Sequence, residues 1–183
     1  MFYSFSRATV RATLDCDATT LPLGSYSAMF SNRVAWRLKK AAWEILIASS
    51  DLDTRRDLAR ILHAQGCAPF YARDIEEGLW LMSEQSIGLV FCDCHLEDGT
   101  YRDFLIAQRA LKKKPRVVVT SLEADWNQYL QSMRLGAFDM ITAPLRPTDV
   151  ESMLIQASHE ERNRLRLVAL EAQDGDARAA VGG

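Results

Sequence analysis

The hydrophobic pattern from Trp43 onward alternates short apolar runs with longer amphipathic segments. Five runs are short and rich in branched or aromatic residues, which is typical of buried strands. They are EILIA (44–48), APFYA (68–72), IGLVFCD (87–93), PRVVVT (115–120) and FDMIT (138–142). The third run is apolar almost throughout, as expected of a strand that is covered on both faces.

The segments between the runs have helical periodicity and carry start and stop signals. Helices are predicted over residues 51–66, 74–84, 101–113, from the fourth run to 135, and from 147 past 166. Asp74 with Glu77 three residues later indicates a capping box, and Pro147 suits the first turn of a helix. Gly66 and Gly136 mark helix ends.

Five strands, each followed by a helix, predict an α/β fold with a parallel sheet and helices on both of its faces. In such sheets a functional site lies at the carboxyl ends of the strands. This rule selects Ser49 and Ser50, the loop Asp93–Asp98, Thr120 and Ser121, and the segment Thr142–Pro144.

Composition narrows the class of protein. The 183 residues are 48% hydrophobic and 25% charged, which suits a globular domain. A formal net charge of −2 argues against direct binding to nucleic acid, and the absence of an apolar run near 20 residues argues against a membrane span. Four irregularly spaced cysteines do not resemble a secreted disulfide framework, so the expected location is the reducing cytoplasm.

Three motifs occur in an order and at a spacing that resemble the receiver domain of two-component response regulators. They are GLVFCDCHLEDG (88–99), VVVTS (117–121) and RLGAFDMITAPL (134–145). The resemblance implies a flavodoxin-like, doubly wound five-stranded parallel sheet with strand order 2-1-3-4-5. It also implies that Asp93 is the phosphate acceptor and Thr120 the switch hydroxyl. The protein would then be a signalling protein, not an enzyme.

The same resemblance sets domain boundaries and partners. The receiver would cover residues 43–160, after a poorly ordered N-terminal extension (1–42) and before a helical extension with a disordered tail (161–183). No DNA-binding output domain is expected. A receiver of this kind would act with a histidine kinase or phosphotransfer protein and with a separate output protein. A thin apolar stripe that includes Leu165 and Val168 leaves open either a short coiled-coil homodimer or a frayed helix.

Several positions depart from the pattern of the family. Its acidic pair is replaced by Ser49 and Ser50, its lysine by Ala143 and its switch aromatic by Met140. Neutral hydroxyls are poor ligands for Mg²⁺, which favours charged oxygens. Asp51 lies one position too late for the pair and is expected to cap the first helix.

Two hypotheses about mechanism therefore stay open. In the first, Asp93 accepts a phosphoryl group, and Mg²⁺ is held by Asp93 with help from Asp51 or Asp98. In the second, the chain is a pseudo-receiver that binds partners without phosphorylation, because the missing charges cost several kcal/mol of transition-state stabilisation.

The cysteines of the third motif raise one more alternative, a metal or redox protein built around Cys92, Cys94 and His95. A structural zinc site uses four ligands, usually as two spaced pairs, and the sequence supplies no second pair. Cysteine also packs well as a small apolar residue. Core packing is therefore the favoured role of both cysteines.

Overall fold

A computed structural model describes residues 44–123 and 125–181, with side chains as far as residue 170. The elements are β1 (Glu44–Ala48), α1 (Leu52–Ala64), β2 (Phe70–Ala72), α2 (Ile75–Glu84), β3 (Ile87–Asp93), β4 (His95–Leu96), β5 (Gly99–Thr100), α3 (Tyr101–Ala107), a 3₁₀ turn (Gln108–Ala110), β6 (Arg116–Ser121), α4 (Trp126–Leu135), β7 (Asp139–Thr142) and α5 (Pro147–Val181). The predicted N-terminal extension, residues 1–42, lies outside the described residues. Among those residues, no helix is long and apolar enough to cross a bilayer.

The sheet has the strand order β2-β1-β3-β6-β7, and every neighbouring pair in it is parallel. This order confirms the predicted 2-1-3-4-5 topology, counted over the five long strands. Strand β3 lies in the middle, where both faces are covered. Leu89 and Phe91 point into the core beneath α1 and α5, while Val90 and Cys92 point into the core beneath α2, α3 and α4.

The ends of the helices follow the predicted capping residues. The carboxylate of Asp74 accepts the backbone N–H of Glu77 at 2.7 Å. Helix α4 ends at Gly136, whose φ of 98° is a left-handed conformation that glycine adopts without strain. Helix α3, in contrast, ends at Ala107 and not at the predicted 113, because the run of like charges and the proline that follow oppose further helix.

A two-stranded antiparallel hairpin, β4 with β5, follows β3 and was not predicted. Its strands are two residues each, with His95 opposite Thr100 and Leu96 opposite Gly99. Strands this short carry no detectable periodicity.

Helix α5 is continuous from Pro147 to Val181. The boundary predicted at residue 160 falls inside it. Residues 174–181 of the segment that was predicted to be disordered are helical in the structure.

Candidate functional site

Asp93 ends the central strand at the carboxyl edge of the sheet, and its carboxylate is half-buried. The hydroxyl of Ser49, which follows β1, donates to Asp93 Oδ2 at 3.0 Å. The backbone N–H of Cys94 donates to Oδ1 at 2.7 Å. Both carboxylate oxygens therefore have a donor from within the fold, and neither donor carries a charge.

Ser49 is held rigidly in this position. It is 1% exposed, and its Oγ accepts the N–H of Asp51 at 3.1 Å. The carbonyl oxygen of Asp51 also lies 3.2 Å from the same Oγ. A hydroxyl has one proton to donate, and a charged acceptor makes the stronger hydrogen bond, so we assign that proton to Asp93.

Ser50, the second position of the predicted acidic pair, does not contact Asp93 through a hydrogen bond. Its hydroxyl donates to the carbonyl oxygen of His95 at 3.2 Å and so links the β1–α1 loop to the hairpin. The two serines therefore differ in role, although they are adjacent in sequence.

Asp51 and Asp98, the two residues expected to help Asp93 hold Mg²⁺, instead accept backbone N–H groups at the start of a helix. Asp51 accepts the N–H of Thr54 at 2.8 Å, and this hydrogen bond lowers the pKa of Asp51. Asp98 accepts two N–H groups at the start of α2, from Ile75 at 2.7 Å and from Glu76 at 3.3 Å. Asp51 thus takes the capping role that the sequence predicted for it.

The remaining positions taken from the family lie on β6 and β7. Thr120 is directly in register with Asp93 and is buried, with Oγ1 3.5 Å from the carbonyl oxygen of Cys92. Ala143 is exposed, and its N–H donates to the carbonyl of Ser121 at 2.8 Å. Met140 packs partly buried against the core. Ala143 brings no charge to this edge of the sheet.

Both cysteines that flank Asp93 lie in the core, as the sequence analysis favoured. Cys92 and Cys94 belong to the same buried cluster, and burial raises the pKa of both thiols. A raised pKa makes a thiol a weaker nucleophile and metal ligand at neutral pH. Within the part of the chain that the structure describes, no group of three or more His, Cys, Asp or Glu residues could hold a metal ion.

Sequence reasoning missed one contact beside Asp93. The side chain of Gln128, on α4, donates from Nε2 to Cys94 Sγ at 3.0 Å and accepts the hydroxyl of Ser121 at 3.0 Å through Oε1. These hydrogen bonds fix the first turn of α4 against the end of β3. A single glutamine on a helix has no motif that could have marked it.

Comparison with known proteins agrees with this architecture. The family model described as the response regulator receiver domain matches residues 45–155, more than half of the chain. The chain therefore belongs to the receiver domain family of two-component response regulators, which are signalling modules.

Two curated relatives are regulatory proteins of bacteria. The acid tolerance regulatory protein ActR of Rhizobium meliloti is 28% identical over 116 residues, which cover 63% of this chain and 60% of ActR. The aerobic respiration control protein ArcA of Escherichia coli is 32% identical over 108 residues, which cover 58% of this chain and 44% of ArcA. The chain thus spans less than two thirds of the length of either relative.

Solved structures show the same fold. A CheY-like receiver domain protein from Methanospirillum hungatei has a TM-score of 0.60 at 21% identity, covering 67% of this chain and 98% of that one. The receiver domain of NtrX from Brucella abortus has a TM-score of 0.58 at 24% identity, covering 63% and 98%.

Receiver domains that are competent for phosphorylation bind Mg²⁺. The oxygen atoms around Asp93 can therefore be compared with the ligands that this ion requires. Mg²⁺ requires near-octahedral oxygen ligands and is usually held by one or two carboxylates. Asp93 supplies one carboxylate, but the hydroxyl of Ser49 points its proton at that carboxylate, and Asp51 and Asp98 bind helix ends. This donor set does not fit Mg²⁺.

Proposed function

We propose that this chain is a pseudo-receiver, a signalling module of the receiver family that binds its partners without phosphorylation of Asp93. The observation that carries the proposal is the hydrogen bond from Ser49 Oγ to Asp93 Oδ2, at 3.0 Å. It places a neutral donor against the carboxylate at the point where the family has a metal-binding acid.

The electrostatics of phosphoryl transfer support this proposal. Charge on the transferred phosphoryl oxygens must be neutralised, because an anion is approaching the carboxylate of Asp93. Here Asp93 is bonded by a hydroxyl and by a backbone N–H, and Ala143 stands where the family has a lysine. Removing even one such stabilising contact from an enzyme costs about 2.7–4 kcal/mol.

An exposed apolar surface near the site supports a role in partner binding. Leu122, directly after β6, and Trp126, the first residue of α4, are 78% and 68% exposed. The ring of Trp126 stacks on that of Tyr129. The hydrogen bonds of Gln128 hold this part of α4 in place. Because those bonds involve neutral groups, we expect the surface to be presented independently of phosphorylation. Its partner would be a histidine kinase, a phosphotransfer protein or a separate output protein.

The retained Asp93 and Thr120 favour a second candidate function. The two residues are in register across β3 and β6, as a phosphoacceptor and a switch hydroxyl would be. In that case the chain is a phosphorelay receiver that takes a phosphoryl group on Asp93 and uses Mg²⁺. The two candidates differ in whether Asp93 forms an acyl phosphate.

Intact-mass measurement distinguishes the candidates. The full chain is incubated with a small phosphodonor such as acetyl phosphate and with Mg²⁺, beside an Asp93→Asn control. We expect no phosphoryl adduct on the wild type. We expect an adduct on the triple variant Ser49→Asp, Ser50→Asp, Ala143→Lys, which shows that the assay can detect one. A wild-type adduct that is absent from Asp93→Asn would favour the phosphorelay receiver.

Partner binding gives a second readout. A partner identified by co-purification should bind the wild type and the Asp93→Asn variant with equal affinity. Trp126→Ala should weaken that binding, with Trp80→Ala as a matched control, because Trp80 is a half-exposed tryptophan on a different helix.

A further inference from the structure

Helix α5 extends well beyond the domain that it packs against. Its buried residues are Val150, Met153, Leu154, Ala157 and Ser158, and no side chain that the structure describes is buried from residue 159 to residue 170. At 1.5 Å per residue, residues 159–181 form roughly 34 Å of helix. A helix of this kind gains most of its stability from packing of one face, so a projecting segment requires a partner.

The face of α5 that packs on the sheet carries apolar residues again beyond Glu161. Leu154 and Ser158 are buried on it. Helical spacing of three or four residues continues that face through Glu161, which is ion-paired to Arg116, and then through positions 165, 168, 169 and 172. These positions are Leu, Val, Ala and Ala. Leu165 is 48% exposed and Val168 is 54% exposed. An apolar stripe thus continues where the domain no longer covers it.

The base of the projecting segment is fixed by ion pairs. Arg116, at the start of β6, contacts Glu160 at 2.9 Å and Glu161 at 3.3 Å, and Glu161 also contacts Arg164 at 2.6 Å. Hydrogen bonding to Arg164, then to Arg116, lowers the pKa of Glu161 against the opposing effect of burial. The direction of the helix is therefore set by the domain.

Along the projecting segment beyond Glu161, basic residues come first and acidic residues follow. Arg162 and Arg166 form no ion pair with any carboxylate among the described side chains. The sequence then continues with acidic positions at 171, 174 and 176. A parallel pair of such helices would place like charges together. In an antiparallel pair, position 162 of one copy lies opposite 176 of the other, and the two-fold axis passes through Ala169.

A basic loop beside the start of the projecting segment also favours an antiparallel pair. Lys112, Lys113 and Lys114 are exposed and form no ion pair with a described residue. With Arg116 and Arg164 they line an open cleft of about 660 Å³ at the sheet edge opposite Asp93. The acidic end of an antiparallel partner helix would arrive beside this cleft.

From these observations we infer that two copies of this chain associate through antiparallel pairing of the projecting segments of α5. The stripe at Leu165, Val168 and Ala169 forms the apolar contact. The acidic end of each helix binds Arg162 and the lysine loop of the other copy. Small Ala169 lies at the crossing point, where it permits close approach. This inference goes beyond the proposed function and does not depend on it.

Sedimentation equilibrium of the full chain tests the association. We expect a monomer–dimer equilibrium, and we expect Val168→Asp to weaken it by roughly tenfold or more, since the charge would be buried in an apolar contact. Leu167→Asp is the matched control. It introduces the same charge one residue away, in place of an apolar side chain that is 61% exposed and lies on another face of the helix. A wild type that is monomeric at every concentration, or a control that dissociates equally, would overturn the inference.

Disulfide cross-linking and charge reversal test whether the two helices pair antiparallel or parallel. In a Cys16→Ser background, Ala169→Cys should form a disulfide between copies. Leu165→Cys should not, because two such residues would be about 12 Å apart along the axis, beyond the reach of a disulfide. Arg162→Glu should weaken dimerisation, and adding Asp176→Arg should restore it. Cross-linking through Leu165→Cys would instead indicate a parallel pair and refute the antiparallel arrangement.

Discussion

Replacing Ser49 by aspartate should destabilise the domain in the absence of divalent ions. The variant removes the donor that now lies 3.0 Å from Asp93 Oδ2 and puts a second carboxylate in its place. A hydrogen bond to a charged group contributes about 1.5–3 kcal/mol. Two like charges about 4 Å apart repel by about 4 kcal/mol at an effective dielectric constant of about 20.

The net effect should be smaller than the sum of these terms. Asp93 is half-buried, so water screens part of the repulsion, and the new side chain can turn away from it. We expect the free energy of unfolding to fall by about 2–4 kcal/mol at neutral pH.

Magnesium should reverse this loss in the variant and have no effect on the wild type. Paired carboxylates are the ligands that Mg²⁺ accepts, and an ion that binds the folded state alone stabilises it by about 2.7 kcal/mol at 100 times its dissociation constant. The measurement is urea unfolding followed by tryptophan fluorescence, once with a chelator and once with MgCl₂.

The matched control is Ser49→Asn, which adds the same bulk without the charge and can still donate to Asp93. Equal losses of stability in the Asp and Asn variants would show that size, not charge repulsion, is the cause. An equal stabilisation of wild type and variant by Mg²⁺ would refute the conclusion that the present donor set does not fit the ion.

Three further predictions concern local packing and helix ends. Gly78→Ala should destabilise the fold by about 1–3 kcal/mol in urea unfolding, because the new Cβ would lie 2.7 Å from the ring of buried Phe104; a stabilised variant would show that the ring can move aside. Asp98→Ala should cost about 1–2 kcal/mol and speed amide hydrogen exchange in the first turn of α2, and unchanged exchange would contradict its capping role. Asp51 has a lowered pKa because it accepts the N–H of Thr54, so its contribution of about 1 kcal/mol should be present above the usual pKa of aspartate and be lost as pH falls through the lowered value. The stability difference between wild type and Asp51→Ala should therefore shrink in acid, and a difference that is constant with pH would refute the argument.

The two proposals concern separate parts of the molecule. The pseudo-receiver proposal concerns the carboxyl edge of the sheet, around Asp93 and α4. The dimer proposal concerns the opposite edge, where α5 leaves the domain. Because the sites are separate, Val168→Asp should leave the mass-spectrometric result unchanged, and Asp93→Asn should leave the dimerisation constant unchanged. Each proposal can therefore fail without the other.

The sequence by itself determined the order and type of the main elements. Strand β3 was predicted with the bounds that the structure has, because a continuous apolar run flanked by polar residues has few alternatives. The cap at Asp74 was also predictable, since its partner lies three residues away in the chain. Features of this kind depend on neighbours in sequence.

Tertiary structure alone decided the chemistry around Asp93. That Ser49 donates to Asp93, whereas Ser50 next to it bonds to His95, depends on how two loops 44 and 45 residues apart meet. The sequence offered Asp98 as a possible ligand for Mg²⁺, yet its carboxylate caps a helix that begins 23 residues earlier. Such contacts join residues that are distant along the chain, so no local pattern records them, and they exist because the parallel sheet brings the carboxyl ends of its strands to one edge.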